Sequence, residues 1–383
     1  MFNTVGFDSD CASEFLARYQ YPNPLDLMFF AADAAARRMG LPGIYIHAVF
    51  DLRGRLDVGA FERALAALYR LYPTVGARRE LSALTGRPRW RLDATPVDPA
   101  RVVQVHAVVP ATQERLRRQI EDLVATQVDS LSPQPVRFHV FRGLAGGDVL
   151  VMRWPHALMD ARGGTLVLEE IDRLYREAPD PKTLRSAGDE RRNDYEQLLA
   201  RTPRVRRAKM ILDWMTTSRA REAEAVQLGQ SPASARVGRP RYILRHLTPE
   251  QTRQIRDNAL RVCGFGRFGD FLRACAIRAL HAIRPEPVAP EALYTTLNLI
   301  NNRKRRQRGP VCWNLTSALP IAVPAGLADD RRLVAELIRE QMVGHLASET
   351  ALRGLASLSM LMRVPTAVAA AAIHAAWTSE RSG

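Results

Sequence analysis

The sequence predicts an α+β protein built as two compact units. Strand-type and helix-type stretches alternate through both halves of the chain. The 383 residues, 46% of them hydrophobic, exceed what one small core organises, and chains of this length divide into units of roughly 150 residues. Between the two halves, residues 178–240 change character. Pro179, Pro181, the charged DERRNDYEQ and a closing GQSPASARVGRP read as a connector with one or two helices and a flexible end.

The elements follow in order. NPLDLMFFAADAAARRM (23–39) reads as a helix, with Pro24 in its first turn, where the missing N–H costs nothing. IYIHAVFDL (44–52) is β-branched and aromatic, hence a strand. In LDVGAFERALAALYRLYP, Asp57 caps a helix whose Phe61, Leu65, Leu68 and Tyr72 recur at helical spacing, and Pro73 stops it. RPRWRL and RVVQVHAV read as strands and TQERLRRQIEDLVATQ as a helix. PVRFHVFRG and DVLVMRW flank LAGG, a hairpin signal. In the second half, RYILRHL reads as a strand leading to Thr248, which with Gln251 forms a capping box. GRFGDFLRACAIRALHAI reads as a helix, ALYTTLNLINNR and VCWNLTSALPIAVP as strands, and DDRRLVAELIREQMVGHL with a final Ala-rich run as helices.

The formal net charge is +15. It reads either as compositional bias in an Arg- and Ala-rich chain or as a fit to an anionic partner: nucleic acid, a membrane face, an acidic carrier protein or a phosphate-bearing cofactor. Basic clusters at 201–209 and 302–308 are not interleaved with aromatic platforms, and no nucleic-acid motif is present. The basic helix expected near 205–222 either packs as a crossover on its own protein or touches a membrane peripherally. No run has the ~18 consecutive apolar residues of a membrane span. The N-terminal MFNTVGFDSDCASEF lacks a basic-then-apolar signal, and Cys11, Cys263, Cys275 and Cys312 have neither zinc nor disulfide spacing, so a reducing cytoplasm is expected. No histidine pair has metal-ligand spacing with an acidic partner, so no metal site is expected.

The segment RWPHALMDARGG (153–164) carries the chemistry: a histidine and an aspartate four apart, after an apolar strand and before a helix. Its surroundings resemble the chloramphenicol-acetyltransferase-like acyltransferase superfamily, which includes nonribosomal peptide condensation domains, plant alcohol acyltransferases, and bacterial wax-ester and polyketide-associated acyltransferases. VFDLRGRLDVGAFERALAALYRLYPTVGAR (49–78) is similar to the opening strand and helix of condensation-type members. PVRFHVFRGLAGGDVLVMRWPHALMDARGG resembles their strand pair running into the His-x-x-x-Asp-Gly signature. GRFGDFLRACAIRAL resembles a helix of the wax-ester branch, and LNLINNR…NLTSALPIAV the strands that follow it. The resemblance spans about residues 20–345.

It implies a two-lobed fold, each lobe a mixed sheet with helices, and a tunnel between them. The expected division is an N-terminal lobe over 1–180 with the HxxxD loop, a connector over 181–240 and a C-terminal lobe over 241–383. His156 matches the motif base, which takes a proton from an alcohol or amine as it attacks a thioester of coenzyme A or of a carrier-protein phosphopantetheine. A thioester is already activated, so a base of near-neutral pKa and an oriented acceptor suffice. No cofactor is held permanently. Asp160 matches the motif aspartate, turned away from the base toward an arginine of the second lobe, with Arg303 as candidate; alternatively it caps the helix after it. Asn314 and Ser317 fall on the strand that faces the tunnel in this family and are candidate oxyanion donors.

Three departures stand out. Pro155 replaces the first of the two histidines usual in condensation domains. Ala161 replaces the motif glycine, so the tight turn is expected to use Gly163 or Gly164. The closing strand and bridging segment of the family are not found before Gly383, which predicts a shortened C-terminal lobe. The leading expectation is an acyltransferase acting on a small-molecule or lipid alcohol or amine. The alternatives are a stand-alone condensation-type protein with a carrier-bound donor, in natural-product or lipid biosynthesis, and a degenerate member that binds without catalysis.

Overall fold

The computed structural model describes residues 19–82, 86–92, 98–128, 135–185, 202–223, 225–226, 242–284, 287–303, 312–360 and 364–378. Cys11, the stretches DERRNDYEQ and GQSPASARVGRP, and most of the 302–308 basic run lie outside the described residues.

The first half is organised by a four-stranded sheet of order β2-β7-β6-β5, with β2 Tyr45–Asp51, β5 Val103–Ala107, β6 Arg137–Arg142 and β7 Val149–Pro155. β7 runs antiparallel to both neighbours, and β5 and β6 are parallel. Alternation gives the sheet two different faces. Phe138, Val140, Leu150, Met152 and Trp154 point to the main core. There they meet α2 (Val58–Leu71), through Phe61, Leu65 and Leu68, and α4 (Ala161–Glu177), through Val167, Ile171 and Leu174. Phe61 and Phe138 pack edge to face at 5.3 Å, the geometry ring quadrupoles favour. On the opposite face Phe141, Val149 and Val151 are roofed by Leu116 and Ile120 of α3 (Gln113–Ala125). The β6–β7 connection turns at Gly147, where φ is +130° and a Cβ would collide with the Leu52 carbonyl, so only glycine fits. β1 (Tyr19–Gln20), β4 (Pro88–Arg91) and β3 (Arg78–Leu81) form a small separate sheet.

The second half centres on the antiparallel pair β8 (Leu293–Asn301) and β9 (Thr316–Pro324). Ile321, Val323 and Tyr294 pack against α6 (Pro249–Cys263), α7 (Phe268–Ala282) and α8 (Arg331–Ala347). The expected capping box is present: Thr248 Oγ1 accepts from the Gln251 amide, and Gln251 Oε1 accepts from the Thr248 amide. The strand expected over RYILRHL does not form in its described part, residues 242–247. Residues 242–248 run without a paired neighbour among the described residues, and Ile243, Leu244 and Leu247 stay exposed. β-propensity alone does not make a strand without a partner ladder.

α5 (Arg204–Ala223) lies against α9 (Thr350–Leu358), with Met210 in one cluster with Trp313, Leu315 and Leu355. The Ala-rich run divides, and its last helix, α10 (Thr366–Thr378), seats Ala369 and Ala370 on Ala31 of α1 (Pro24–Arg38). Among the described residues no helix is long and apolar enough to cross a membrane.

Candidate active site

β7 delivers His156. Pro155 pairs with Tyr45 at the end of the ladder, and the His156 amide extends it by donating to the Ile44 carbonyl (3.0 Å). A turn follows, closed by the Leu158 amide on the Pro155 carbonyl (2.9 Å) and by Trp154 Nε1 on the Met159 carbonyl (3.0 Å). Ala157, Leu158 and Met159 are buried beneath it. The loop between histidine and aspartate is thus fixed by packing as well as by hydrogen bonds.

The His156 ring is half-buried and lies flat against Phe29 of α1, with centroids 3.6 Å apart and planes inclined by 17°. Its Nδ1 is 3.1 Å from Asn314 Oδ1. Asn314 Nδ2 donates to Asp26 Oδ1 and to the His156 carbonyl, each at 2.7 Å. Both amide hydrogens therefore point at acceptors, which assigns the other end of the amide as the oxygen. That oxygen only accepts, so His156 Nδ1 carries the ring proton and Nε2 keeps a lone pair. Burial pushes the imidazole below its ordinary pKa, partly offset by its hydrogen bonds and by the Asp160 charge. A neutral imidazole with a free Nε2 is a base.

Asp26 supports this arrangement from the first turn of α1. It is fully buried and accepts from the amides of Asn314 (3.3 Å) and Asn23 (2.9 Å). Burial pushes its carboxyl up to about 8, against the hydrogen bonds from Asn314 and Asn23, which favour the anion. Asn23 caps α1 and also donates through Nδ2 to the Asn314 carbonyl (3.1 Å).

Asp160 faces the other way. It caps α4, accepting from the Gly163 amide at 2.8 Å, and it also pairs with Arg303 through both nitrogens of the fork, at 2.8 and 2.9 Å. The Leu315 amide (2.9 Å) and Thr316 Oγ1 (2.8 Å) complete its shell. Both side chains of the ion pair are nearly inaccessible, at 7% and 3% exposure. Burial pushes the Asp160 carboxyl up, but Arg303 and the surrounding N–H groups outweigh it and hold the group below its ordinary value. Arg303 is fixed in turn by the Trp313 carbonyl (2.7 Å). The cap and the ion pair coexist in one carboxylate.

Two expectations need correction. Neither Gly163 nor Gly164 makes a tight turn. Both lie within α4, and Ala161 is simply its first residue, in a conformation open to any side chain. Gly164 is required by space: a Cβ there would run into the Trp154 indole. Asn314 has no hydrogen left for an oxyanion, since both are committed. The Ser317 expectation is left as it was: its hydroxyl accepts from Asn302 Nδ2 (2.6 Å) with its own hydrogen still available, and by alternation it lies on the face of β9 opposite Thr316. Asp26 and Phe29 escaped sequence reasoning. An acid on the apolar face of a helix, between Pro24, Leu27 and Phe30, was the one signal that could have found Asp26.

No protein-family model matches the chain, and no curated protein sequence matches it. Solved structures do. The first condensation domain of the calcium-dependent antibiotic synthetase, in complex with a substrate analogue, superposes with a TM-score of 0.64 at 18% identity, over 87% of this chain and 76% of that one. A variant of the starter condensation domain of rhizomide synthetase, in complex with C8-CoA, gives 0.58 at 14% identity, over 90% and 77%. Polyketide synthase associated protein 5 from Mycobacterium tuberculosis gives 0.55 at 16% identity, over 84% and 73%. The mixed α+β architecture built here around β7 and β9 is therefore the two-lobed, chloramphenicol-acetyltransferase-like fold of these condensation domains.

Proposed function

We propose that the chain is an acyltransferase that joins an acyl group from a thioester to an alcohol or amine, with His156 as general base. The observation that carries this is the Asn314 amide, which leaves His156 with its proton on Nδ1 and its lone pair on Nε2. Nε2 takes the proton of the acceptor hydroxyl or amine as that atom attacks the thioester carbon. The tetrahedral intermediate collapses by breaking the C–S bond, and the imidazolium returns the proton to the departing thiolate. Ester or amide and free thiol result, and the base is restored. A positioned base contributes about 10²–10⁴-fold. The donor is a coenzyme A or carrier-protein phosphopantetheine thioester. C8-CoA in one solved structure of the same fold supports the former, and the net charge of +15 suits an acidic carrier.

The test compares wild type with His156→Ala on octanoyl-CoA and on an octanoyl-loaded carrier protein, each with alcohol and amine acceptors, reading thiol release. We expect turnover on one donor and a loss of about 10²–10⁴-fold in the variant, with far-UV circular dichroism showing an intact fold. Equal turnover in the two proteins moves the proton transfer to another group. A wild type that binds both donors and turns over neither is the non-catalytic member.

A further inference from the structure

The sheet face turned away from the main core is apolar at one end and basic at the other. Pairing and alternation place His47, Arg153, Arg137, His139 and His106 on this one face. α3 covers the apolar end. Beside it a cavity of about 480 Å³ remains, lined in part by His106, Arg115, Asp122, Arg137, His139 and Arg153.

Two of these groups are buried with a side-chain nitrogen left without a partner. Arg153 is 3% exposed and donates to the carbonyls of Leu123 (3.2 Å) and Thr126 (2.6 Å); its carbon lies 4.8 Å over the Tyr45 ring. Both of those acceptors are backbone carbonyls, no carboxylate among the described residues pairs with it, and its Nε has no partner. His139 is 4% exposed. Its Nδ1 is 3.0 Å from His106 Nε2, so the two rings share one proton there, and its Nε2 has no partner. His106 stacks on Phe141 at 4.8 Å, which fixes the rim of the cavity. Buried cationic groups ordinarily come with a counter-charge. Here burial instead pushes Arg153 down to about 10, His139 to about 3 and His47 to about 4, the arginines adding to it for the two histidines.

We infer that this cavity is a binding site for the phosphoryl group of a small phosphorylated molecule, held by Arg153, His139 and His106 with Arg115 at the rim. Side-chain nitrogens converge from three strands and a helix, and such a spread suits the several oxygens of a tetrahedral phosphate better than a planar carboxylate. A dianion also outweighs Asp122, the one acid among the lining residues. The volume is that of an ordinary small-molecule site. Nothing in this depends on the acyl-transfer reading, since binding is read without turnover.

The test uses the full chain and sodium pyrophosphate, followed by calorimetry and thermal unfolding against sodium chloride at equal ionic strength, with citrate as the carboxylate arm. We expect saturable binding of pyrophosphate with a raised Tm, no effect of chloride, and weaker binding of citrate. Affinity should fall roughly tenfold in His139→Gln and roughly threefold in Arg115→Glu, whose side chain is exposed and whose loss spares the fold. Pyrophosphate acting no differently from chloride overturns the site. So does unchanged affinity in Arg115→Glu together with His139→Gln, or in Arg115→Glu alone if the buried substitution fails to fold. Citrate binding as tightly as pyrophosphate overturns the phosphoryl assignment.

Discussion

Asn314 is an oxyanion candidate in the sequence, yet in the structure its one side chain does two other things to His156. It accepts from the ring and, through its nitrogen, holds the histidine's own carbonyl. Asn314→Ala should lower kcat by roughly 10–100-fold, the scale on which losing a histidine's orienting partner acts, because Nδ1 and Nε2 then compete for the proton. The check is kcat on a working donor, with far-UV circular dichroism showing an intact fold. The direction of the pH dependence also follows. Burial favours the neutral imidazole, so the acid limb of kcat/KM should fall below pH 6.5: the base is present above its lowered pKa and lost as pH falls through it. A limb at or above 6.5 would place the titrating group elsewhere. The pairing of Asp160 with Arg303 was legible because the resemblance points to both residues. Asp26 and Phe29 were not. Their spacing from Pro24 says only that they sit on a helix, and what they touch lies about 130 and 290 residues along the chain.

At the scale of one element, α4 shows where a motif letter and its physical reason part company. The residue after Asp160 tolerates a Cβ, while the residue four after it does not. Gly164→Ala should destabilise by about 1–3 kcal/mol, the usual cost of overpacking, as the helix is pushed off Trp154. Ala161→Gly should cost about 0.5–1 kcal/mol at most through helix propensity, with no gain in turnover. Urea unfolding of both variants separates the two sites, and similar losses would remove the packing argument. Helix boundaries were legible wherever a start signal is written locally, as with Pro24, Asp57 and Thr248. Pairing was not legible for RYILRHL, because the ladder a strand joins is a property of distant residues.

Across the whole molecule, the two halves meet through a short stretch of the second. Trp313, Asn314, Leu315 and Thr316, with Arg303 beside them, receive Asp160, His156 and Asp26 from the first. α10 adds a second bridge on α1. Removing one member of a buried ion pair strands the other and costs about 3–5 kcal/mol, so Asp160→Ala and Arg303→Met should each be severe. In the double variant the loss should be clearly less than additive, by more than about 1 kcal/mol in a thermodynamic cycle. Independent losses would mean that Asp160 acts only as the cap of α4. The α+β class and the two lobes were legible from alternation and length. The joint between the lobes was legible only at Asp160 and Arg303, since nothing in the local pattern assigns Asn314 to Asp26.

The stacking of Phe29 on His156 gives the site its own resonance. Protons held over the face of a benzene ring sit in its shielding cone, so the imidazole C–H signals of His156 should appear upfield of those of the other seven histidines. In a carbon–proton correlation spectrum the displaced peak should vanish in His156→Ala and return to the ordinary region in Phe29→Leu. Its movement with pH then reads the ionisation of this one ring in the resting protein, with no donor or acceptor present.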